Sequence, residues 1–311
     1  MRPMSSYSGL LRQFGLLRFA GPDALAFLQG QITNDVRRLA DGRSLLAACA
    51  NPQGRVLAIL HLVPHAAGAL AILPRELLAP TAERLAKFVL RAKLKIESVG
   101  DALAVAGLHE ESRLIAAGLA VPPAPDGYRD SDAIGVGRVV GDARRFWAVG
   151  APAALAARGL AGDPADAALV ERDWRLADVR AGLPQVFAAT SEAFTPQMLN
   201  LDLLDGISFT KGCYTGQEIV ARTQHLGRIK RRSLRLRLAA PAPIGAALRF
   251  ADGRVARLIE LQPADDRFEG LAVAPITAAG AGDAGEEAPV AAGALAAEEL
   301  PLPYSLAPRA L

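Results

Sequence analysis

The sequence contains little of what secreted or membrane-spanning proteins require. Among 311 residues there are only two cysteines, Cys49 and Cys213, which are too few for a disulfide framework. No secretory signal is visible, because arginines interrupt the first apolar stretch. The longest apolar run, residues 56–73, is split by Pro64 and a turn signal, which favours a buried β-hairpin over a membrane span. We therefore expect a reduced, cytoplasmic protein that has no membrane contact.

Charge and ligand counts exclude further classes. The net charge of +3, from 35 basic and 32 acidic residues, is too small to indicate nucleic acid by itself. No G-x-G-x-x-G follows a strand pattern, and no Walker A sequence is present. Four scattered histidines and two distant cysteines provide neither a zinc site nor an ordinary iron–sulfur site, so we expect no metal. The basic run at 228–237 has two interpretations: a surface that contacts phosphates, or a solvated strand edge.

Two regions differ in their patterns. Residues 1–230 mix strand and helix patterns and so predict an α+β region with a Pro/Gly/Asp-rich break near 121–132. Apolar residues at helical spacing predict helices within 22–36, 81–93 and 165–182. Residues 231–311 contain short strand candidates between turns, which predict a small β-barrel or sandwich. Within that second region, the low-complexity Ala/Gly-rich tract 278–299 predicts a mobile loop.

Chemical functionality is concentrated at residues 211–222, KGCYTGQEIVAR. Lys211, Arg222 and nearby backbone N–H groups are suited to stabilise a thiolate at Cys213. A structural interpretation competes with this one: a tight turn that leads into a helix, with the cysteine buried as a small apolar residue. A nucleophilic pair of Cys213 with His225 is a further interpretation, although no third, orienting residue stands out.

Several stretches of the chain resemble one known family. Residues 211–222 match the signature of the YgfZ-like folate-binding proteins, also described as the CAF17-like group. That group is similar to the aminomethyltransferase, or T-protein, of the glycine cleavage system. FLQGQITNDV at 27–36, PQMLNLDLLDGISFTKGCYTG at 196–216 and LPYSL at 302–306 also resemble family segments. The resemblance therefore covers nearly the whole chain.

The resemblance implies a fold and a function. The fold would be α+β, with two ferredoxin-like halves of T-protein type around a central folate cavity, followed by a small C-terminal β-barrel. The protein would bind tetrahydrofolate or another reduced folate, which could carry a polyglutamate tail. It would support the assembly or repair of iron–sulfur enzymes, including those that modify tRNA, so that tRNA would be only an indirect partner.

The resemblance also implies site residues. Phe14 and Trp174 occupy aromatic positions that border the folate in relatives, where flat rings would stack on them. The remaining functional positions all come from the cysteine motif. They are Lys211, Gly212, Cys213, Tyr214, Thr215, Gly216, Gln217, Glu218 and Arg222.

The chain departs from the family's enzymes at two places. Ala58 and Ile59 stand where true aminomethyltransferases carry a catalytic acidic pair, which indicates that this reaction has been lost. Arg180 stands where relatives often have Glu, so that Asp178 or another residue would have to accept the pterin N–H groups. Two alternatives stay open: a folate-dependent one-carbon transferase of the aminomethyl type, and a module that binds tRNA directly through the arginines of 228–237.

Overall fold

The computed structural model describes residues 7–131, 133–225, 229–276 and 295–307. In chain order its strands are β1 (Ser8–Leu10), β2 (Phe14–Ala20), β3 (Leu45–Ala50), β4 (Val56–His65), β5 (Gly68–Pro74), β6 (Lys95–Ser98), β7 (Ala104–His109), β8 (Tyr128–Ser131), β9 (Ile134–Val139), β10 (Asp142–Gly150), β11 (Arg231–Leu238), β12 (Ala247–Phe250), β13 (Val255–Ala264), β14 (Arg267–Pro275) and β15 (Leu295–Leu300). The α-helices are α1 (Ala24–Gln29), α2 (Leu78–Ala86), α3 (Glu111–Ala116), α4 (Pro152–Ala157), α5 (Ala167–Ala181) and α6 (Gln217–His225).

The first sheet is antiparallel, with strand order β3-β4-β5-β2-β6. Its central strands are almost entirely apolar and buried, as short apolar runs between turn signals predict. The buried hairpin predicted for residues 56–73 is confirmed as β4 and β5. None of the described helices is long and apolar enough to cross a membrane.

The second sheet has the order β1-β7-β10-β9-β8 and is also antiparallel. Strand β1, at the start of the described chain, pairs with β7 about a hundred residues later, so the two sheets are interleaved in sequence. The predicted break at 121–132 lies inside this sheet, because Tyr128–Ser131 forms its edge strand. One apolar core joins both sheets to α5.

Two predicted helices are shorter than their apolar periodicity indicates. The helix expected within residues 22–36 ends at Gln29, and a 3-10 turn at Val36–Asp41 follows. The helix expected at 81–93 begins at Leu78 and ends at Ala86. The chain then turns, with Leu90 in the left-handed region at a φ of 44°. In both cases the apolar spacing continues past the point where the backbone leaves the helix.

The C-terminal region is a closed five-stranded barrel with the order β11-β14-β13-β12-β15, in which only the described β12–β15 pairing is parallel. The alternating leucines of β11 point into its core. The loop predicted for 278–299 is wrong for residues 295–299, which belong to β15. This strand closes the barrel through backbone hydrogen bonds that its Ala-rich composition does not reveal. Residues 278–294 lie outside the described residues.

Candidate functional site

The cysteine motif is fixed to the N-terminal motif by Lys211. Its buried ammonium group donates hydrogen bonds to the backbone oxygens of Gln29 at 2.6 Å, Ile32 at 2.8 Å and Asn34 at 2.9 Å. All three acceptors lie within the segment 27–36 that the family resemblance singled out. The two motifs, about 180 residues apart in sequence, therefore form one structural unit.

All three hydrogen-bond donors of the Lys211 ammonium group bind backbone oxygens inside the fold. Burial lowers the pKa of Lys211 to about 8, while the three carbonyl oxygens favour its charged form. The Tyr214 ring, whose centroid lies 4.9 Å from Nζ, also favours the charged form. Because its three donors are occupied, Lys211 has none left for the thiolate of Cys213. These hydrogen bonds hold the loop in place, and stabilisation of the Cys213 thiolate by the charge of Lys211 stays a prediction.

Cys213 lies on the outside of the loop that Lys211 holds. Its thiol is free and the residue is exposed. The neighbouring Gly212 is also exposed, and a side chain there would meet open space. Cys49 is the opposite case, because burial raises the pKa of its thiol to about 12. The interpretation of Cys213 as a buried apolar residue is therefore wrong, and its sulfur is accessible to a reactant.

Gly216 packs the motif against the turn that joins β3 to β4. Its φ of +82° favours glycine, and a Cβ there would lie 2.5 Å from the backbone oxygen of Asn51. From the other side, a Cβ on Gly54 would lie 3.0 Å from Ile219. A side chain at Gly216 would meet backbone and one at Gly54 would meet the Ile219 side chain, so the two glycines let the motif and the turn lie this close together.

The rest of the motif divides into loop-forming and exposed positions. The Thr215 N–H donates to the oxygen of Gly30 at 3.2 Å. Gln217 closes the turn with Tyr214, since its N–H donates to the Tyr214 oxygen at 3.1 Å and its Oε1 accepts from the Tyr214 N–H at 3.3 Å. Glu218 and Arg222 are exposed one turn apart on α6, where the helix predicted for 216–222 is confirmed.

Two buried polar residues that were not predicted as site residues complete the support of the loop. The Thr33 hydroxyl donates to the oxygen of Gly206 at 2.7 Å and accepts from a β3 backbone N–H at 2.8 Å. The Asn34 amide donates to the oxygens of Leu46 at 2.8 Å and Asp205 at 2.7 Å. The only signal in the sequence was their place inside the segment 27–36.

The predicted folate-bordering aromatic residues lie in one cluster. Trp174 is fully buried, with its ring 4.6 Å from that of Trp147 and 4.7 Å from the guanidinium carbon of Arg145. Phe14 packs edge-on against Trp147 at 5.4 Å. Trp174 also fills the space in front of Gly107 on β7, where a Cβ would clash with it. The structure thus places Trp174 in tight packing and not on an open wall.

Arg145 is the polar centre of that cluster. It is fully buried, and its guanidinium pairs with Asp142 and Asp178, each at 2.7 Å. Burial raises the pKa of Asp178, and the charge of Arg145 opposes that shift. Within the described residues, no hydrogen-bond partner is present for Arg145 Nη2 or for the indole N–H groups of Trp147 and Trp174. Unsatisfied buried donors of this kind are suited to acceptor atoms of a bound molecule or to water.

A cavity of about 440 Å³ lies where β2 of the first sheet meets β1 and β7 of the second. Phe14 forms part of its wall, whereas Trp174 does not. Its polar lining includes Arg12, Arg75 and Asp101. The apolar lining comprises Leu10, Leu11, Leu16, Leu103, Val105 and Pro152.

The positions that depart from the family's enzymes have structural partners. Ala58 and Ile59 are fully buried in the apolar core, so no carboxylate stands there. Arg180 faces the barrel and pairs with Glu269 of β14 at 3.0 Å. Asp178, the acceptor suggested in its place, is already bound by Arg145.

Three arginines of the basic run at 228–237 pair with carboxylates. Arg232 is buried in a bidentate pair with Asp202, at 2.6 and 2.9 Å. Arg235 pairs with Glu269 at 2.6 Å, and Arg237 with Glu298 at 3.4 Å. Arg228 lies outside the described residues. This strand therefore supports the structural interpretation of its arginines over the phosphate-binding one.

Comparisons with known proteins agree with the family resemblance, although a scan against protein-family models finds no match. The chain is 35% identical over 225 residues to the tRNA-modifying protein YgfZ of Pectobacterium carotovorum. The aligned residues make up 71% of this chain and 67% of the relative. It is 30% identical over 272 residues to the protein of the same name from Hamiltonella defensa, which covers 86% and 78% respectively.

A solved structure shows the same fold. The glycine cleavage system aminomethyltransferase T of Bartonella henselae superposes with a TM-score of 0.66 over 87% of this chain and 79% of that protein, at 18% identity. The mixed α+β fold with its C-terminal barrel is therefore that of the aminomethyltransferase. Together with the sequence identities to two relatives, this shows that the chain belongs to the YgfZ family of tRNA-modifying proteins.

Proposed function

We propose that this protein is a folate-binding accessory factor that supports iron–sulfur enzymes, including tRNA-modifying ones, through Cys213. The observation that carries the proposal is an exposed thiol on a loop that Lys211 and Gly216 hold in one place. A reactive cysteine needs both access and a fixed position. A reducing compartment such as the cytoplasm would keep this thiol and that of Cys49 free.

The cavity beside Phe14 is the place we assign to the folate. In this proposal the two sheets are the two ferredoxin-like halves, and the ligand lies at their junction. The volume of about 440 Å³ falls within the range of small-molecule sites. When bound, a reduced folate supplies a carrier for one-carbon units.

The lining of the cavity fits the three chemical parts of a folate. The Phe14 ring and the surrounding apolar side chains suit the benzoyl group. Arg12 and Arg75 suit the glutamate carboxylates, while Asp101 suits the N–H groups of the pterin. Arg75 already donates to the backbone oxygens of Arg12 at 2.9 Å and Phe14 at 3.3 Å, which orients its guanidinium beside the cavity. The role predicted for Trp174 would be indirect here, as packing behind Trp147 and Phe14.

The cavity and the cysteine loop lie at the same end of the first sheet. Strand β2 begins there at Phe14, β5 ends there at Pro74, and the turn between β3 and β4 contacts Gly216. Because β4 and β2 are separated by β5 alone, their axes lie about 10 Å apart. This arrangement supports a function in which Cys213 acts close to the bound folate.

The alternative of an aminomethyl-type transferase has less support. The reaction needs a carboxylate to orient the amine. Both candidate positions hold buried apolar residues instead, Ala58 and Ile59. Direct binding of tRNA through the barrel arginines is likewise disfavoured, because carboxylates neutralise Arg232, Arg235 and Arg237.

Folate binding is tested by calorimetric titration with tetrahydrofolate. We expect saturable binding to the wild type, at least tenfold weaker binding to Phe14→Ala, and weaker binding of the polyglutamylated form to Arg12→Gln. Cys213→Ala serves as a matched control and should bind as the wild type does. The absence of binding to the wild type would refute the folate assignment, and an unaffected Phe14→Ala variant would refute this cavity.

The role of Cys213 is tested by complementation of a strain that lacks its own YgfZ protein. Activity of a tRNA-thiolating iron–sulfur enzyme should be restored by the wild type and by Cys49→Ala, but not by Cys213→Ala or Cys213→Ser. Each variant's level in the cell is measured by immunoblot, so that loss of protein is not mistaken for loss of function. Full restoration by both Cys213 variants would rule out a function for the thiol.

A further inference from the structure

A second concentration of positive charge lies far from the barrel arginines, in the turn after α2. The segment 84–95, RLAKFVLRAKLK, contains five basic residues and no acidic one. The chain has 35 basic and 32 acidic residues, so the remainder carries 30 against 32 and is slightly acidic. We call this segment the basic turn.

The basic turn also exposes two large apolar side chains. Leu90 is 88% exposed and Phe88 is 38% exposed. The left-handed φ of 44° at Leu90 is unusual for a leucine, and such strain is found most often where function requires it. The guanidinium of Arg84 lies 5.3 Å from the centre of the Phe88 ring.

The turn is anchored to the rest of the fold. The backbone N–H of Lys93 donates to the Asp23 carboxylate at 2.6 Å. The oxygen of Lys93 packs so closely against Gly21 that a Cβ there would clash with it. The exposed side chains are therefore presented from a fixed backbone.

Most of the turn's cations lack an acidic partner. Lys95 pairs with Glu97. By contrast, Lys87, Arg91 and Lys93 are exposed and form no ion pair with any carboxylate in the described parts of the chain. This separates them from Arg232, Arg235 and Arg237, all of which are paired.

We propose that the basic turn is a contact surface for tRNA, an inference that rests on the tRNA-related function proposed above and that makes tRNA a direct partner, where the family resemblance implied an indirect one. Lys87, Arg91 and Lys93 would contact phosphates, and Phe88 would stack on an unpaired base beside Leu90. RNA is favoured over a protein partner because the charge is dense while the apolar area amounts to two side chains. Interfaces with nucleic acids are more polar and far more positively charged than those between proteins.

The test measures binding of an unmodified tRNA transcript by fluorescence anisotropy at several salt concentrations. The variant Lys87→Gln/Arg91→Gln/Lys93→Gln removes the unpaired cations of the turn. The matched control, Arg231→Gln/Arg249→Gln/Arg267→Gln, removes the same charge from the barrel strands. We expect at least tenfold weaker binding by the turn variant and less than threefold by the control. The slope of log affinity against log salt should become shallower by about 0.7–0.9 for each phosphate that the variant no longer neutralises.

Single substitutions address the role of the apolar residues. Phe88→Ala should weaken binding about tenfold without changing the salt slope, because stacking is not ionic. The inference is overturned if the wild type does not bind tRNA, if both triple variants weaken it equally, or if the protein sediments with phosphatidylglycerol vesicles and not with tRNA. The turn variant should keep wild-type affinity for tetrahydrofolate, so failure here is distinguishable from failure of the folate assignment.

Discussion

Strand β11 of the barrel and the basic turn after α2 are both rich in arginine and lysine, but they differ in whether carboxylates pair with these cations. In β11, Arg232 is buried against Asp202, and Arg235 and Arg237 pair with glutamates of neighbouring strands. In the basic turn, Lys87 and Arg91 are exposed and have no carboxylate partner among the described residues.

The difference shows that a cluster of basic residues is not by itself a binding surface. A guanidinium that pairs with a carboxylate of its own fold is neutralised there, and removing one member of a buried pair leaves the other charge uncompensated. A cation without such a partner contributes little to stability and is available to an external anion. The following variants test whether cations that are paired within the fold and cations without a carboxylate partner differ in this way.

The largest effect is expected for Arg232→Met. The substitution leaves the Asp202 carboxylate, whose side chain is 4% exposed, without its bidentate partner. Breaking a buried ion pair in this way costs about 3–5 kcal/mol of unfolding free energy. Urea denaturation measures the loss. The double variant Arg232→Met/Asp202→Leu should recover most of it, and a loss below about 1 kcal/mol would show that this pair is not an internal support.

Lys211→Met extends the comparison to the cysteine loop. It leaves three backbone oxygens without the ammonium that now satisfies them. The substitution also removes the free-energy cost of burying a charged ammonium group, which offsets part of this effect. We therefore expect a net loss of about 2 kcal/mol in the unfolding free energy.

The exposed Glu218→Gln on α6 is the control for Lys211→Met, and we expect it to change the unfolding free energy by less than about 0.5 kcal/mol. Equal losses in the two variants would mean that the ammonium does not hold the loop.

Glu260 extends the comparison to a buried carboxylate, whose effect on stability depends on pH. It is buried in the barrel strand β13 beside Arg175 at 2.6 Å, and burial raises its pKa to about 7. Since this value exceeds the unfolded one, the folded state binds the proton more tightly. Glu260 therefore makes stability fall as the pH rises from about 4.5 to 7, by on the order of 3 kcal/mol. Glu260→Gln should remove that part of the slope in denaturation measured from pH 5 to 7.5.

Glu269→Gln is the control of opposite sign. Burial raises the pKa of Glu269, but Arg180 and Arg235 outweigh it and lower the pKa overall. Its stabilisation is present above the unfolded pKa and is lost as the pH falls. The difference between wild type and variant should therefore grow with pH for Glu269→Gln and shrink for Glu260→Gln. Parallel curves for the two variants would contradict the assignment of Glu260.

Sequence patterns predicted the elements that depend on local order. The apolar runs of residues 56–73 predicted the buried hairpin, and the short strand candidates of residues 231–311 predicted the C-terminal barrel. Contacts between distant segments were not predictable. Nothing local indicates that Lys211 points at the carbonyls of residues 29–34, or that Arg145 lies buried against Trp174. The motif could be identified by resemblance, but the division of its residues into supports and exposed groups required the structure.

The smallest effect on stability is expected where the effect on tRNA binding is largest, in the basic turn. Replacing Lys87, Arg91 and Lys93 with glutamine breaks no ion pair among the described residues and removes repulsion between like charges. The unfolding free energy should therefore change by less than about 0.5 kcal/mol, with a slight gain at low salt. Urea denaturation at two salt concentrations measures this. A loss above about 1 kcal/mol would mean that these cations have internal partners after all, and the distinction from β11 would no longer hold.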